Sequence, residues 1–139
     1  MALNRREARE AVFELLFETE FKNDEAREAI YALSTENREI ENIPYIHEVY
    51  FGVGEHLDEL DEIINRHAQG WKVQRISKVS RSILRLGVYE MLYREEIPVT
   101  VSINEAVELS KKFDEEKARA FINGVLNSVK NELQGAENG

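Results

Sequence analysis

The sequence lacks several ingredients that other classes of protein need. It contains no cysteine, which excludes disulfides, thiolate metal sites and a thiol nucleophile. Two prolines and seven glycines in 139 residues leave little turn chemistry for an all-β fold. No apolar run approaches the roughly twenty residues that span a membrane. What remains is a chain rich in helix-forming residues and long enough to bury a core.

The N-terminus and the net charge restrict where the protein acts and what it binds. Residues 1–7 turn charged at once and lack the apolar stretch of a signal peptide. Together with the absence of cysteine, this predicts a soluble, cytoplasmic protein. The formal net charge is -9. Because so acidic a chain repels polyanions at long range, contact with nucleic acid requires a local basic patch.

Apolar residues follow a helical period in the first half of the chain. Four residues of the first segment have the spacing of one buried helix face: Ala8, Val12, Leu15 and Leu16. A second helix is predicted over residues 24–33 with Asp24 as its N-cap, and the polar residues 34–43 indicate a loop. An apolar stripe then runs from Pro44 to residue 67. It is interrupted by Gly52 and Gly54, which predicts a kink or two abutting helices, and Gly70 is the expected C-cap.

The second half of the chain predicts a central helix and two more around it. Residues 76–94 are apolar on nearly all sides, which is typical of a helix at the centre of a fold, and Pro98 is expected to end it. Ser102 and Glu105 form the S-x-x-E pattern of a capping box for the next helix, which ends near Phe113. A last helix follows. The pattern therefore predicts an all-α bundle of six to seven helices around the 76–94 helix.

The sequence gives little support to catalysis. His47, His56 and His67 do not share one helix face, so they predict no common metal site, and His67 fits a core or capping position. The Gly52-x-Gly54 pair does not follow a strand or complete a phosphate-binding fingerprint. We therefore predict no catalytic residue, no metal site and no cofactor.

Two stretches combine positive charge with apolar residues. In the first helix, five residues run four apart with Arg6 beside them: Arg5, Arg9, Phe13, Phe17 and Phe21. Guanidinium groups that hold phosphates and rings that stack on bases are what single-stranded RNA binding needs. The alternative is a solvated helix whose phenylalanines are core, because glutamates outnumber the arginines there.

A second basic stretch contains no acid between Trp71 and Tyr89. Its cations are Lys72, Arg75, Lys78, Arg81 and Arg85. Arg85 lies among core residues and is expected to pair with a carboxylate such as that of Glu105. The acidic run from Glu55 to Glu62 indicates either solvated surface or a site for a basic protein.

Several segments together resemble the NusB family of bacterial transcription antitermination proteins. They are Ile83–Glu90 (ILRLGVYE), Ile103–Leu109 (INEAVEL), Phe121–Leu126 (FINGVL), the opening Arg5-Arg6-x-Ala8-Arg9, and Trp71. The match is in order and covers nearly the whole chain. The resemblance implies a single helical domain over residues 1–134, built as two antiparallel three-helix bundles, with a flexible tail over residues 135–139.

The resemblance also implies a function without chemistry. NusB-like proteins pair with ribosomal protein S10, bind the boxA element of leader RNA, and help RNA polymerase to pass terminators, notably in ribosomal RNA operons. Carried over by position, the residues that contact RNA are Arg5, Arg6, Arg9, Phe17, Phe113, Lys117 and Phe121. Two positions depart from the family: Glu7 interrupts a region that is more basic in some members, and Lys117 stands where some carry aspartate.

Two alternatives from other classes stay open at this point. One is a protein-interaction module, or a homodimer that buries the Arg5–Phe21 ridge, without direct RNA binding. The other is an accessory domain of an RNA methyltransferase, against which stands the lack of a glycine-rich cofactor loop. Candidate contacts for S10 are the acidic run from Glu55 to Glu62 and the 76–94 helix.

Overall fold

Helices account for most of the residues that the structure, a computed structural model, describes: 3–22, 26–40 and 43–138. In chain order the α-helices are α1 (Arg5–Glu20), α2 (Arg27–Arg38), α3 (Pro44–Glu55), α4 (Leu57–His67), α5 (Lys78–Tyr93), α6 (Val99–Phe113) and α7 (Ala118–Asn138). A short 3-10 helix, Val73–Arg75, lies between α4 and α5. These described ranges contain no strand, so the prediction of an all-α fold with six to seven helices is confirmed.

The chain divides into two compact units, Met1–Glu55 and His56–Gly139. In the first unit, α1 packs against both α2 and α3. The predicted inner face of α1 is buried as expected, with Ala8, Val12, Leu15 and Leu16 all at most 5% exposed. Burying each of the larger of these side chains stabilises the unit by about 1.5–3 kcal/mol. Hydrophobic periodicity therefore placed this helix correctly.

The predicted loop over residues 34–43 begins too early, because α2 continues through Arg38, and among its described residues only 39, 40 and 43 lie outside the helices. Two polar side chains in this part of α2 contact α1. Ser34 Oγ donates to Glu18 Oε2 over 3.0 Å, and Arg38 Nη2 lies 3.2 Å from Glu14 Oε1. The predicted cap Asp24 lies outside the described residues.

The apolar stripe after Pro44 forms two helices, as one of the two alternatives predicted. The break falls at His56 and not at the glycines, which lie inside α3. A Cβ atom at Gly54 would lie 2.5 Å from Arg27 Nε, so this glycine makes room for the arginine side chain. At the far end, the C-cap of α4 is Ala68 and not Gly70, although Gly70 has a φ of 93° in the following turn.

In the second unit, α5 packs against α4, α6 and α7, which makes it the central helix of that unit. Ile83, Leu84 and Val88 are fully buried, as the apolar pattern predicted. A Cβ at Gly87 would lie 3.1 Å from Leu126 Cδ1, so the glycine lets α5 approach α7 closely. The helix begins after Ser77, whose Oγ accepts the backbone N–H of Ser80.

The predicted capping box of Ser102 and Glu105 is wrong. Helix α6 already begins at Val99, after Pro98. Ser102 is therefore inside the helix, where it is buried and its Oγ donates to Glu90 Oε1 over 2.8 Å. The bond supplies a donor to a carboxylate that is only 1% exposed, and a buried charge needs such partners.

Arg85 makes an internal ion pair, as predicted from its core position. The carboxylate belongs to Asp61 of α4, and two bonds of 2.8 Å join it to Arg85 Nε and Nη2. Both side chains are at most 20% exposed. Part of the acidic run from Glu55 to Glu62 therefore faces the interior and not solvent or a partner.

The last helix, α7, continues past Gly135 to Asn138. The flexible tail over residues 135–139 and the single domain over residues 1–134 stay predictions, and Gly139 lies outside the described residues.

Candidate nucleic-acid interface

The first turn of α1 is held by a capping box that the sequence analysis missed. Asn4 Oδ1 accepts the backbone N–H of Glu7 over 2.8 Å, and Glu7 Oε1 accepts the backbone N–H of Asn4 over 3.0 Å. This reciprocal pair satisfies two N–H groups that the start of a helix leaves unbonded. Glu7, which interrupts the basic segment in sequence, therefore has a structural role. The signal was present as an N-cap residue followed three positions later by glutamate.

The three predicted arginines of α1 differ in exposure. Arg5 and Arg6 are exposed, whereas Arg9 is only 3% exposed. Tyr45 of α3 lies beneath two of them: its ring centroid is 4.4 Å from Arg5 Cζ and 5.9 Å from Arg9 Cζ. A cation over the face of a ring is attracted by the ring quadrupole, which orients the guanidinium. Sequence spacing could not have found Tyr45, because it comes from another helix.

The phenylalanines of α1 form a graded ridge. Phe13 is buried, Phe17 is partly exposed and Phe21 is 59% exposed. The rings contact one another in sequence, with centroids 6.1 Å apart for Phe13 and Phe17 and 5.0 Å apart for Phe17 and Phe21. The exposure of the three rings therefore increases along the chain, from the buried Phe13 to the exposed Phe21. Phe17, the predicted RNA contact, lies between the two.

The other three predicted residues lie together in the second unit. Phe113 ends α6, Lys117 precedes α7, and Phe121 lies in the first turns of α7. All three line an open cavity of about 720 Å³, which we call the α6–α7 groove. The groove is also lined by Trp71, Arg75, Ile76, Ser77, Val79, Ser80, Asp114, Glu115 and Ala118.

One wall of the α6–α7 groove is fixed by Asp114. Its Oδ2 accepts a short hydrogen bond from the hydroxyl of Ser80, in the first turn of α5. Its Oδ1 accepts the backbone N–H of Glu115 over 2.8 Å. The turn between α6 and α7 is therefore tied to α5, which sets the position of Phe113 and Lys117.

Trp71 lines both the α6–α7 groove and a smaller neighbouring cavity of about 170 Å³. Its side chain is 56% exposed, and Lys72, Arg75 and Lys78 nearby in sequence are exposed as well. Phe121 lines the same two cavities. The sequence predicted no role for this tryptophan beyond its place in the family pattern.

His67 occupies the structural position predicted for it. Its Nδ1 is 2.6 Å from Ser128 Oγ, which joins α4 to α7. Beside it, Arg66 binds both carboxylate oxygens of Glu132, and this hydrogen-bonded guanidinium holds the pKa of Glu132 below its ordinary value. Within the described ranges, no three His, Cys, Asp or Glu side chains are grouped so as to hold a metal ion. In the same part of the chain, every helix is too short or too polar to cross a membrane.

The fold and these surfaces define an all-helical protein with cations and rings exposed on an otherwise acidic chain. Comparison with known proteins identifies the family. The sequence model described as "NusB family" matches residues 6–131. A transcription antitermination protein NusB from Bacillus pumilus is 48% identical over 95% of this chain and 98% of its own, and that from Bacillus subtilis is 44% identical over the same shares.

Solved structures agree with the sequence comparison. NusB from T. maritima superposes with a TM-score of 0.83 at 34% identity, covering 95% of this chain and 94% of its own. A crystal structure of the antitermination factors NusB and NusE in complex with dsRNA matches with a TM-score of 0.80 at 28% identity, covering 92% of this chain and 96% of that chain. The chain belongs to the NusB family.

Proposed function

We propose that this protein binds the boxA element of leader RNA together with ribosomal protein S10, notably during transcription of ribosomal RNA operons in the cytoplasm. The complex then acts on RNA polymerase in antitermination. The observation that carries the proposal is the exposure of Arg5 and Arg6 on a capped helix turn, in a chain whose net charge is -9. Cations exposed against that background mark where a polyanion can approach.

The comparisons support the partners. The curated relatives are named transcription antitermination proteins, and one matching structure contains NusB with NusE, which is S10, and RNA. That structure is described as a complex with dsRNA. We assign unpaired RNA to this chain because its exposed rings suit bases that are free to stack, which the bases of a duplex are not.

In the first unit, RNA is bound by electrostatic attraction between arginines and phosphates. Arg5 and Arg6 bind backbone phosphates, and the ring of Tyr45, which lies beneath Arg5 and Arg9, orients the Arg5 guanidinium. Each phosphate neutralised on a single strand contributes about -0.7 to the slope of log K against log salt, so two arginines give only about -1.4. Because this is a modest contribution on an acidic protein, we expect weak RNA binding by the protein alone.

In the second unit, the α6–α7 groove supplies contacts to bases. Phe113 and Phe121 present rings, and Lys117 supplies a cation at their edge. An aromatic ring stacked on a base contributes about 1–3 kcal/mol whatever the base. These contacts add affinity that depends on the strand being unpaired.

The experiment that tests the proposal is fluorescence anisotropy of labelled boxA RNA and of a scrambled RNA, each with and without S10. Without S10, we expect weak binding to both RNAs. With S10, we expect much tighter binding to boxA but not to the scrambled RNA, because a basic partner adds to the cationic surface. An affinity for boxA that S10 leaves unchanged contradicts the proposal. If replacing Arg5, Arg6 and Arg9 by alanine alters only the oligomeric state, the protein is an interaction module instead.

A further inference from the structure

We infer that Trp71 is a stacking platform for an unpaired RNA base, and that Lys72 and Arg75 bind the phosphates beside that base. This inference rests on the proposed function, since it assigns further contacts to the same RNA. It also gives a role to two exposed cations of the second basic stretch, Lys72 and Arg75, whereas Arg85 of that stretch pairs with Asp61 inside the fold.

Trp71 is unusually exposed for its residue type. The indole is 56% exposed, although a tryptophan offers more apolar area for burial than any other side chain. The backbone around it is nevertheless well fixed. The N–H of Trp71 donates to the carbonyl of Ala68 over 3.1 Å, and the N–H of Val73 donates to Asn65 Oδ1 over 2.7 Å. A fixed backbone that presents an exposed ring lowers the entropy cost of binding a partner there.

The surface beside the Trp71 ring is concave. Trp71 forms part of the α6–α7 groove together with Phe121 and the apolar side chains of Ile76 and Val79. The groove volume of about 720 Å³ lies within the range of about 300–1,000 Å³ typical of small-molecule sites. A single nucleobase fits such a space, and the exposed Trp71 is among the residues that line it.

The sequence that follows Trp71 is positively charged. Lys72 and Arg75 are both exposed on either side of Val73, and Arg75 lines the groove together with Lys117. The sequence from 72 to 88 contains no acid, in a chain with nine more acids than bases overall. A ring flanked by cations matches a strand whose bases alternate with phosphates.

The acids of the α6–α7 groove are compatible with RNA. Asp114 is already bonded to Ser80 and to the N–H of Glu115. A carboxylate accepts hydrogen bonds from the amino groups of bases, so it favours a base edge over a phosphate at that wall. A basic protein segment would instead be repelled by the cations at Lys72, Arg75 and Lys117. Within the groove, Asp114 and Glu115 balance Arg75 and Lys117, so the charge that favours nucleic acid is that of the exposed Lys72 beside it.

The test uses the full chain with S10 and boxA RNA. Trp71→Ala should weaken boxA affinity about 5- to 100-fold, the loss of one stacked base, and Trp71→Phe should weaken it less. Neither change should alter the salt dependence. Lys72→Ala/Arg75→Ala should instead make the salt slope less negative by about 1.4. Leu33→Ala is the matched control, because Leu33 is a similarly exposed apolar residue, 64% exposed, and should leave affinity unchanged.

Intrinsic fluorescence gives an independent readout, because Trp71 is the only tryptophan of the chain. Stacking on a base should quench its emission as boxA RNA is added, and the same titration of Trp71→Phe supplies the background from S10. If wild-type protein binds RNA but shows neither quenching nor a loss with Trp71→Ala, the inference is wrong and the proposed function stands. If Trp71→Ala weakens S10 binding in the absence of RNA, the groove is a protein site and the inference is wrong. If wild type with S10 does not bind boxA at all, both fail.

Discussion

Helices α1 and α5 both carry several cations, but the two helices differ in where most of those cations lie. Both helices begin after a side-chain cap, Asn4 for α1 and Ser77 for α5. In α1, the two arginines of the first turn are exposed. In α5, the cations further along the helix bind inward, with Arg81 donating to the carbonyl of Val73 and Arg85 to Asp61. A cluster of cations in a sequence therefore overstates the cationic surface.

Whether a cation is exposed or bound inward depends on the face of the helix on which it lies. Arg9 lies four residues before Phe13, on the side of α1 that enters the core, and it is buried. Arg85 lies between the buried Leu84 and Leu86 on a helix that is packed from several sides. Arg5 and Arg6 begin α1 and Lys78 begins α5, and all three are exposed.

The largest expected effect is on stability, from removing an inward-bound cation. Arg85→Ala leaves the Asp61 carboxylate, whose side chain is 20% exposed, without its guanidinium. We expect the free energy of unfolding to fall by about 2–4 kcal/mol, somewhat less than for a fully buried pair. Urea denaturation followed by circular dichroism measures it.

Arg66→Ala is the matched control for that measurement. Its pair with Glu132 also joins a guanidinium to both oxygens of a carboxylate, although through one nitrogen, Nη2, and the side chains are 45% and 40% exposed. Solvent screening reduces such a pair to about 0.2–1 kcal/mol. Equal losses for Arg85→Ala and Arg66→Ala would contradict the distinction between inward and outward cations.

A smaller effect is expected from the cap that holds Arg5 and Arg6. Asn4→Ala removes the acceptor of the Glu7 N–H and should lower the free energy of unfolding by about 1 kcal/mol. Asn4→Gly should cost only a few tenths of a kcal/mol, because glycine is itself acceptable at an N-cap. Thermal denaturation of the two variants measures the difference, and identical melting temperatures for Asn4→Ala and wild type would show that the cap contributes nothing.

Much of the fold could be predicted because it depends on local periodicity. The buried face of α1 and the apolar α5 follow from spacings within one segment, whereas the break between α3 and α4 falls at His56 and not at the glycines that interrupt the pattern. The errors arose where a distant residue decided the outcome. The polar end of α2 is helical and contacts Glu14 and Glu18 of α1, and Ser102 lies inside a helix bonded to Glu90.

Some residues of the candidate site could be predicted from the sequence, and others could not. Phe113, Lys117 and Phe121 could be named from the family pattern, and they line one groove. Tyr45 could not be named, because only the packing of α3 on α1 brings it to Arg5. The burial of Arg9 was equally hidden, since its spacing from Arg5 suggests a shared exposed face.

The most direct test of the central claim is the salt dependence of boxA binding in the presence of S10, compared between wild type, Arg5→Ala/Arg6→Ala and Arg66→Ala. All three proteins should fold, since each replaced arginine is exposed. If Arg5 and Arg6 hold two phosphates, the double variant binds more weakly and its slope of log K against log salt is less negative by about 1.4, while Arg66→Ala matches wild type. A slope that is the same in all three proteins would contradict the account.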